Sequence, residues 1–413
     1  MRRVTGGREG ARAGAPRTAP PATTSTASSG APLHPFRGLR YDPDVVGDLG
    51  AVLAPPHTDL PRAVRAARLQ ASPWAVTRLE RPENDPAPGR AVDRWLAEGA
   101  LVQDEPSLYV VRQRRAGVEH RFLLAALRVD AVTGARVHPH EAVFPDVVRS
   151  RRNRLRETGV DSEPVLLVHS GGAPAATDLV RTAEHRGHPL TGAVTSDGGG
   201  VGVAVDGWRV DDEDVLREVG ESLDGVDLVV ADGHHRYAAV REEFAATGAP
   251  QGLLVAVVDD ATYPLALRPL HRSVPARAVP ALRALAVDVR EVRGGPLSDP
   301  ADVARLSERE LDALLVTSTG ACRLSFADGG VEAGAGARVD EALARAGVEP
   351  ESVRFTADGA TALAAVSEDV VAVMLPRVPL SRIAATVRGG RLLGRKTTSF
   401  TPKPLAGAVL RLR

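Results

Sequence analysis

Three short segments of this 413-residue chain carry side chains whose types and spacing could do chemistry. The sharpest is Asp232-Gly233-His234-His235-Arg236. It follows the apolar run Val226–Ala231 and precedes Tyr237, Val240 and Phe244 at helical spacing. That pattern predicts a buried strand, a turn through Asp232-Gly233, and a helix opening at His234 or His235. Unpaired backbone N–H groups and the helix dipole favour an anion at such a junction. Arg236 adds a bidentate phosphate donor, and the imidazoles can donate protons to a transferring group. Asp232 can hold a divalent cation against phosphate oxygens. The structural alternative makes Asp232 an N-cap, Gly233 a turn residue and the rest a polar rim. Adjacent histidines point to different faces and HExxH spacing is missing, which disfavours zinc.

The second segment is His138-Pro139-His140-Glu141, followed by Arg149, Arg151, Arg152, Arg154 and Arg156. Glu141 in a Pro-flanked loop suits a general base that takes a proton from a hydroxyl while a neighbouring His orients it. The arginine run reads more simply as a solvated helix face. The third segment is Lys396-Thr397-Thr398-Ser399 with Lys403, whose hydroxyls and ammonium groups can clamp phosphate. These are the only two lysines among 52 basic residues. In so Arg-biased a chain they hint at sites that need a compact ammonium, because the two cations are not interchangeable in tight places. Pro35–Tyr41 offers two more arginines, Arg37 and Arg40, with an aromatic.

The elements that must position these groups alternate along the chain. Residues 1–31 are rich in Ala, Thr, Ser, Gly, Pro and Arg, hold no apolar stretch, and are expected to be a disordered tail without a secretory signal. Residues 32–274 are expected to form the main α/β domain. Within it Val52–Ala54 reads as a strand and Arg90–Glu98 as a helix. Leu108–Arg114 and Arg121–Val129 read as an antiparallel pair around Gly117. Val147–Thr158 is expected to be a helix stopped by Gly159. Pro164–His169 and Leu253–Val258 read as buried strands, and Asp211-Asp212 can cap a helix running to Ser222. The Gly-rich 196–202 segment reads as a hairpin tip, since it lacks the lysine of a phosphate loop. Residues 275–413 form a smaller α/β section with helix and strand patterns at Asp302–Leu315, Cys322–Phe326, Val339–Ala346, Val370–Leu375 and Leu380–Val387.

Composition narrows the class. Acidic and basic residues balance at 52 each, and aromatics are only 3%, which argues against nucleic acid as a partner. The lone Cys322 excludes an intrachain disulfide framework. No run approaches the roughly 18 apolar residues of a membrane span. A cytoplasmic protein without membrane association is expected, with a small-molecule substrate; the sequence leaves the oligomeric state open.

In their order along the chain these pieces resemble the DUF1015 family of uncharacterised bacterial and archaeal proteins. The matching segments are PFRGLRYDPDVVGDLGAVLAPP (35–56), EGALVQDEPSLYVV (98–111), HPHE (138–141), DGHHRY (232–237), LRPLHR (267–272) and GRKTTSFTPKPLAG (394–407). The DGHHR turn also resembles the Asp-Gly-x-x-Arg turn of the ParB/sulfiredoxin-like superfamily, which includes free-serine kinases. The resemblance implies a mixed α/β fold with a ParB/sulfiredoxin-like core. It also implies phosphoryl transfer to a small hydroxy-amino acid such as serine. Asp232, Gly233, His234, His235 and Arg236 would then sit at the phosphates, Asp232 would hold Mg²⁺, Glu141 would be the base, and Arg151, Lys396 and Lys403 would stabilise charge. The donor would be ATP, ADP or pyrophosphate. Two departures stand out. Val148 and Ser150 occupy positions where the family has lysine and aspartate, and Pro55-Pro56-His57-Thr58-Asp59 replaces its Pro-Pro-Tyr-Asp. Val148 and Ser150 favour one rival reading, a degenerate regulatory family member; the other, a non-catalytic nucleotide or nucleic-acid binding module of the kind ParB-like folds also support, is kept open by the basic face at 149–156.

Overall fold

Long apolar runs in this chain alternate between two faces, and both faces are buried. Leu123, Ala125 and Leu127 pack on one side of a central sheet with Val165, Leu167, Val255 and Val257. Phe122, Leu124 and Ala126 pack on the other side with Leu166, Val168, Leu254 and Ala256. A sheet covered on both faces calls for such uninterrupted hydrophobic strands, which is why period-two alternation is hard to see in them. A computed structural model describes residues 32–56, 60–80, 87–131, 133–196, 200–292, 311–327 and 332–413. The expected tail at 1–31, His57–Asp59 and residues 302–310 lie outside these.

The central sheet has nine strands. Across it run Val137–Pro139, Leu228–Asp232, Val165–His169, Gln251–Asp259, Val118–Val129, Leu108–Arg115, Gly202–Val210 and His188–Ser196, with Leu33–His34 on the far part of Val118–Val129. Val137–Pro139 runs parallel to Leu228–Asp232, and Val165–His169 runs parallel to Gln251–Asp259; the other pairings are antiparallel. The fold is thus mixed α/β. Residue 196 pairs with Gly202 across the expected hairpin, whose tip residues 197–199 lie outside the described chain.

Helices follow their local signals. Pro145–Thr158 starts with Pro at its first turn and ends at Gly159, whose φ of 64° only glycine adopts freely. Glu213–Leu223 is capped by Asp212, whose side chain accepts from Val215 N–H. One expectation fails here. Val52 ends a helical turn, Leu49–Val52, whose start is capped by Asp48, and only Ala54 makes a bridge, to Ala406. A three-residue apolar run does not distinguish helix from strand, and the Asp48 cap decides the matter.

A second sheet of six strands contains His271–Pro275, Asp288–Val292, Asp312–Thr317, Gly320–Ser325, Arg354–Thr356 and Val370–Met374. The last two expected patterns are a strand at Val370–Met374 and a helix at Leu380–Arg388, while Val339–Ala346 falls on the Gly334–Arg345 helix. The chain then returns to the first section. Thr398–Thr401 pairs with Ala266–Pro269, and Leu410–Leu412 pairs with both Gly38–Tyr41 and Val160–Asp161. Gln113 fastens this return, donating to Lys403 O and accepting from Leu405 N–H. No helix among the described residues is long and apolar enough to cross a membrane.

Candidate functional site

The strand Leu228–Asp232, second from one edge of the nine-stranded sheet, runs into Gly233, and the helix His234–Thr247 begins at once. Gly233 has φ 93°, and a Cβ there would meet Arg236 Nη2 and Val165 Cγ2 at 3.0 Å, so both conformation and space require glycine. Its carbonyl accepts from Tyr237 N–H, which leaves the N–H groups of 234–236 without intrahelical acceptors. This turn forms the floor of a cleft of about 520 Å³. Glu141, Arg151, Asp232, Gly233, His234, His235, Arg236, Lys396 and Lys403 all line it, so the residues that the family resemblance implicates converge there, whereas His138 does not.

Convergence does not leave every group available. Arg236 Nη1 donates to the carbonyls of Glu163 and Pro164 at 2.5 and 2.7 Å. Its Nη2 lies 3.1 Å from Asp232 Oδ2 and 3.2 Å from Glu163 Oε1. The guanidinium therefore ties the turn to the start of Val165–His169. Asp232 is held on its other oxygen by Lys403 Nζ at 3.0 Å. Burial alone would raise the pKa of Asp232, but Lys403 and Arg236 outweigh it and hold the carboxyl below its ordinary value.

Glu141 is engaged in the same way. Its Oε2 accepts from Lys396 N–H at 3.1 Å, and its Oε1 accepts from the N–H and hydroxyl of Thr398 at 3.3 and 3.1 Å. Burial opposes its ionisation, yet the hydrogen bond with His140 and nearby positive groups, Lys396 among them, hold it well below the usual carboxylate range. His140 is fully buried, with Nδ1 2.7 Å from Val230 O and Nε2 2.7 Å from Thr398 Oγ1. His138, two residues back on the strand, points away. Its Nε2 pairs with Asp227 at 3.3 Å, and it lines a separate cleft of about 510 Å³ at the other end of these strands.

The two histidines of the turn differ. His234 is buried against His140, with ring nitrogens 3.2 Å apart; burial and then His140 push its pKa down to about 3. His235 Nε2 accepts from Phe144 N–H at 3.1 Å, which assigns the ring proton to Nδ1. Burial, Lys396 and Arg151 lower its pKa to about 4, so His235 is a neutral donor at physiological pH. Lys396 sits at φ 50° and lines the cleft; among the described residues its ammonium has no hydrogen-bond or ion-pair partner.

The remaining arginines are mostly spoken for. Arg152 and Arg156 close on Glu243, Arg149 pairs with Asp146, and Arg151 lies 3.5 Å from Glu80. Arg40 grips Asp104 through two nitrogens and Arg37 meets Glu105, away from the cleft. No three His, Cys, Asp or Glu side chains among the described residues gather to hold a metal. With both oxygens of Asp232 already ion-paired, the donor set does not fit a protein-held Mg²⁺. Glu163, which the sequence reading passed over, lines the cleft with one carboxylate oxygen unpartnered among the described residues. An acidic residue directly ahead of a Pro-led, wholly buried strand was the available signal.

Fold and cleft together define a mixed α/β protein with a cationic pocket at a strand-to-helix turn. Residues 33–314 match the family described as protein of unknown function (DUF1015), and the chain belongs to that family. No curated protein matches the chain. Among solved structures, a free serine kinase in complex with AMP is similar at 15% identity, covering 67% of this chain and 87% of its own, with a TM-score of 0.41. A variant of a free serine kinase in complex with ADP is similar at 15% identity, covering 67% and 87%, with a TM-score of 0.40. A conserved hypothetical protein from Pyrococcus furiosus has 13% identity, coverage of 68% and 91%, and a TM-score of 0.40. Likenesses of this size say nothing about chemistry.

Proposed function

We propose that the cleft binds the phosphate groups of ATP, ADP or pyrophosphate, and that the protein transfers a phosphoryl group to a small hydroxy-amino acid of the serine type. The observation that carries this reading is Lys396. An ammonium with no hydrogen-bond or ion-pair partner among the described residues lines the cleft that also holds neutral His235 and the open N-terminal turn of His234–Thr247. Positive charge, a ring N–H donor and free backbone donors together suit phosphate oxygens.

Each residue then has a role that its contacts permit. Lys396, His235 Nδ1–H and the N–H groups of the turn neutralise the phosphoryl group as it moves. Asp232 and Arg236 keep the turn in place, and Glu141 holds the Lys396 backbone. Glu141 is ionised, as a base must be, but both its oxygens serve the Lys396–Thr398 segment. A loose phosphoryl transfer relies on positioning and charge more than on proton removal. That same engagement of Glu141 and Asp232 favours a second reading, a nucleotide-binding protein without transferase activity.

Calorimetric titration with ATP, ADP and pyrophosphate, each with Mg²⁺, tests both readings. Micromolar binding to the wild type that is lost in Lys396→Ala and weakened in His235→Ala is expected. Serine is then added and ³¹P NMR looks for phosphoserine. Binding without transfer moves the weight to the second reading, and no binding to any of the three overturns both.

A further inference from the structure

Glu163 precedes Pro164 just ahead of the buried strand Val165–His169, and only 6% of it is exposed. Its Oε1 lies 3.2 Å from Arg236 Nη2, but Oε2 has no hydrogen-bond partner among the described residues, although the residue forms part of the cleft wall. The charged groups around it come from every neighbouring element. Arg236 faces it from the His234–Thr247 helix, Asp232 from the end of Leu228–Asp232, Arg151 from Pro145–Thr158, and Glu80 from the turn after Val76–Leu79. Lys403 reaches the same corner from the C-terminal segment, but its ammonium sits on Asp232. Arg236 is shared as well, between Asp232 and two carbonyls. An ionised Glu163 is therefore a nine-tenths buried carboxylate with a part share of one guanidinium.

We propose that Glu163 is the proton acceptor of the cleft on anion binding: a phosphate-class anion enters beside Lys396 and His235 together with one proton, which Glu163 Oε2 takes from solvent and releases when the anion leaves. This rests on the phosphate reading of the cleft. The reason is charge balance. An incoming phosphate adds negative charge to a corner that already holds Glu80, Glu163 and Asp232, and protonating the least compensated carboxylate removes one of those charges. Burial, then Glu80 and Asp232 against the pull of Arg236, already push the pKa of Glu163 up to about 7, so the transfer needs little further shift. A ligand that binds the protonated form better must raise proton occupancy, and the affinity must in turn fall as pH rises.

The test is calorimetry of inorganic pyrophosphate binding in buffers of different ionisation enthalpy, comparing wild type with Glu163→Gln. Pyrophosphate titrates in this range itself, so the difference between the two proteins is the quantity read. The wild type is expected to take up more protons than Glu163→Gln near pH 7. Its affinity should fall relative to the variant as pH rises above about 7, by at most about tenfold per pH unit, the slope of one proton. Glu163→Asp, which keeps a carboxyl, should restore the uptake. Equal uptake in wild type and Glu163→Gln, with both binding, overturns the inference and leaves the phosphate reading standing. Absence of pyrophosphate binding by the wild type overturns both. Should Glu163→Gln fail to fold, ¹³C NMR of the Glu163 carboxyl decides. A titration midpoint that climbs on saturation with pyrophosphate supports the inference, and an unmoved one overturns it.

Discussion

The backbone N–H of Lys396 donates to Glu141 Oε2 at 3.1 Å, joining residues 255 positions apart. Lys396 is one of two non-glycine residues with positive φ among the described residues, and the other, Ala116, is in a hairpin turn. A left-handed lysine is disfavoured and persists only where its surroundings over-determine it. Here Glu141 supplies that determination from one side. The pairing of Thr398–Thr401 with Ala266–Pro269 supplies it from the other. The carboxylate thus governs where the Lys396 ammonium stands.

Glu141→Gln tests that dependence. A carboxamide keeps one acceptor and turns the other oxygen into a donor, so one of the N–H groups of Lys396 and Thr398 must face an N–H₂. Losing a buried charge-assisted bond and leaving a donor unsatisfied costs about 2–3 kcal/mol. A lower urea midpoint and at least tenfold weaker pyrophosphate binding are expected. An unchanged midpoint would show that Glu141 does not clamp the segment.

Arg236 should behave as a structural residue. Arg236→Ala leaves Asp232 and Glu163 without their shared guanidinium and two carbonyls without donors, a loss of about 3 kcal/mol or more. Arg236→Lys should rescue little, because a single ammonium cannot reproduce the fork. Thermal melts of both variants check this. A Lys variant as stable as the wild type would mean that charge alone, and not the four contacts, holds the turn.

The sequence shows much of this and hides a specific part. The turn at Gly233, the helix stop at Gly159, the Asp212 cap and the 108–129 hairpin are all legible because their causes lie within a few residues. The grouping of the site residues is suggested by residue type and by the placement of the two lysines. Their availability is not legible. Whether Arg236 meets phosphate or the carbonyls of Glu163 and Pro164 depends on strand packing that no local spacing encodes. Likewise His138 and His140 look equivalent in sequence, yet His138 lies within the strand Val137–Pro139 and meets Asp227, whereas His140, just past the strand's end, meets Val230 and Thr398. Glu163 goes unnoticed for the same reason, since its role depends on what surrounds it.

The pH dependence of stability carries two opposed contributions. His234, His235 and His271 have folded pKa values of about 3, 4 and 4, below the ordinary 6.5, chiefly through burial. Between those values and 6.5 the unfolded chain binds more protons, so stability falls as pH drops below about 6.5. Glu163, raised from 4.5 to about 7, acts the other way. Here the folded chain binds more protons, so its contribution grows as pH drops from about 7 to about 4.5. Glu163→Gln should therefore lose stability more steeply than the wild type on acidification through this window. Denaturant midpoints at intervals from pH 7.5 to pH 4.5 measure it. Parallel curves for the two proteins would show that Glu163 titrates normally.

Lys396 separates stability from binding. Its ammonium has no hydrogen-bond or ion-pair partner among the described residues, so Lys396→Ala breaks none of those contacts, yet it keeps a non-glycine residue at φ 50°. Lys396→Gly also removes the charge but enters the left-handed region freely. Relief of about 1–2 kcal/mol in the folded state exceeds the extra freedom that glycine gives the unfolded chain, about 0.5–1 kcal/mol. Lys396→Gly should consequently be more stable than Lys396→Ala by up to about 1 kcal/mol. Both should lose pyrophosphate binding to a similar degree, because each lacks the ammonium. Paired melts and titrations read the two effects independently. If Lys396→Ala proves the more stable, the backbone at 396 is not held left-handed. If either variant binds pyrophosphate as the wild type does, the anion sits elsewhere than beside Lys396.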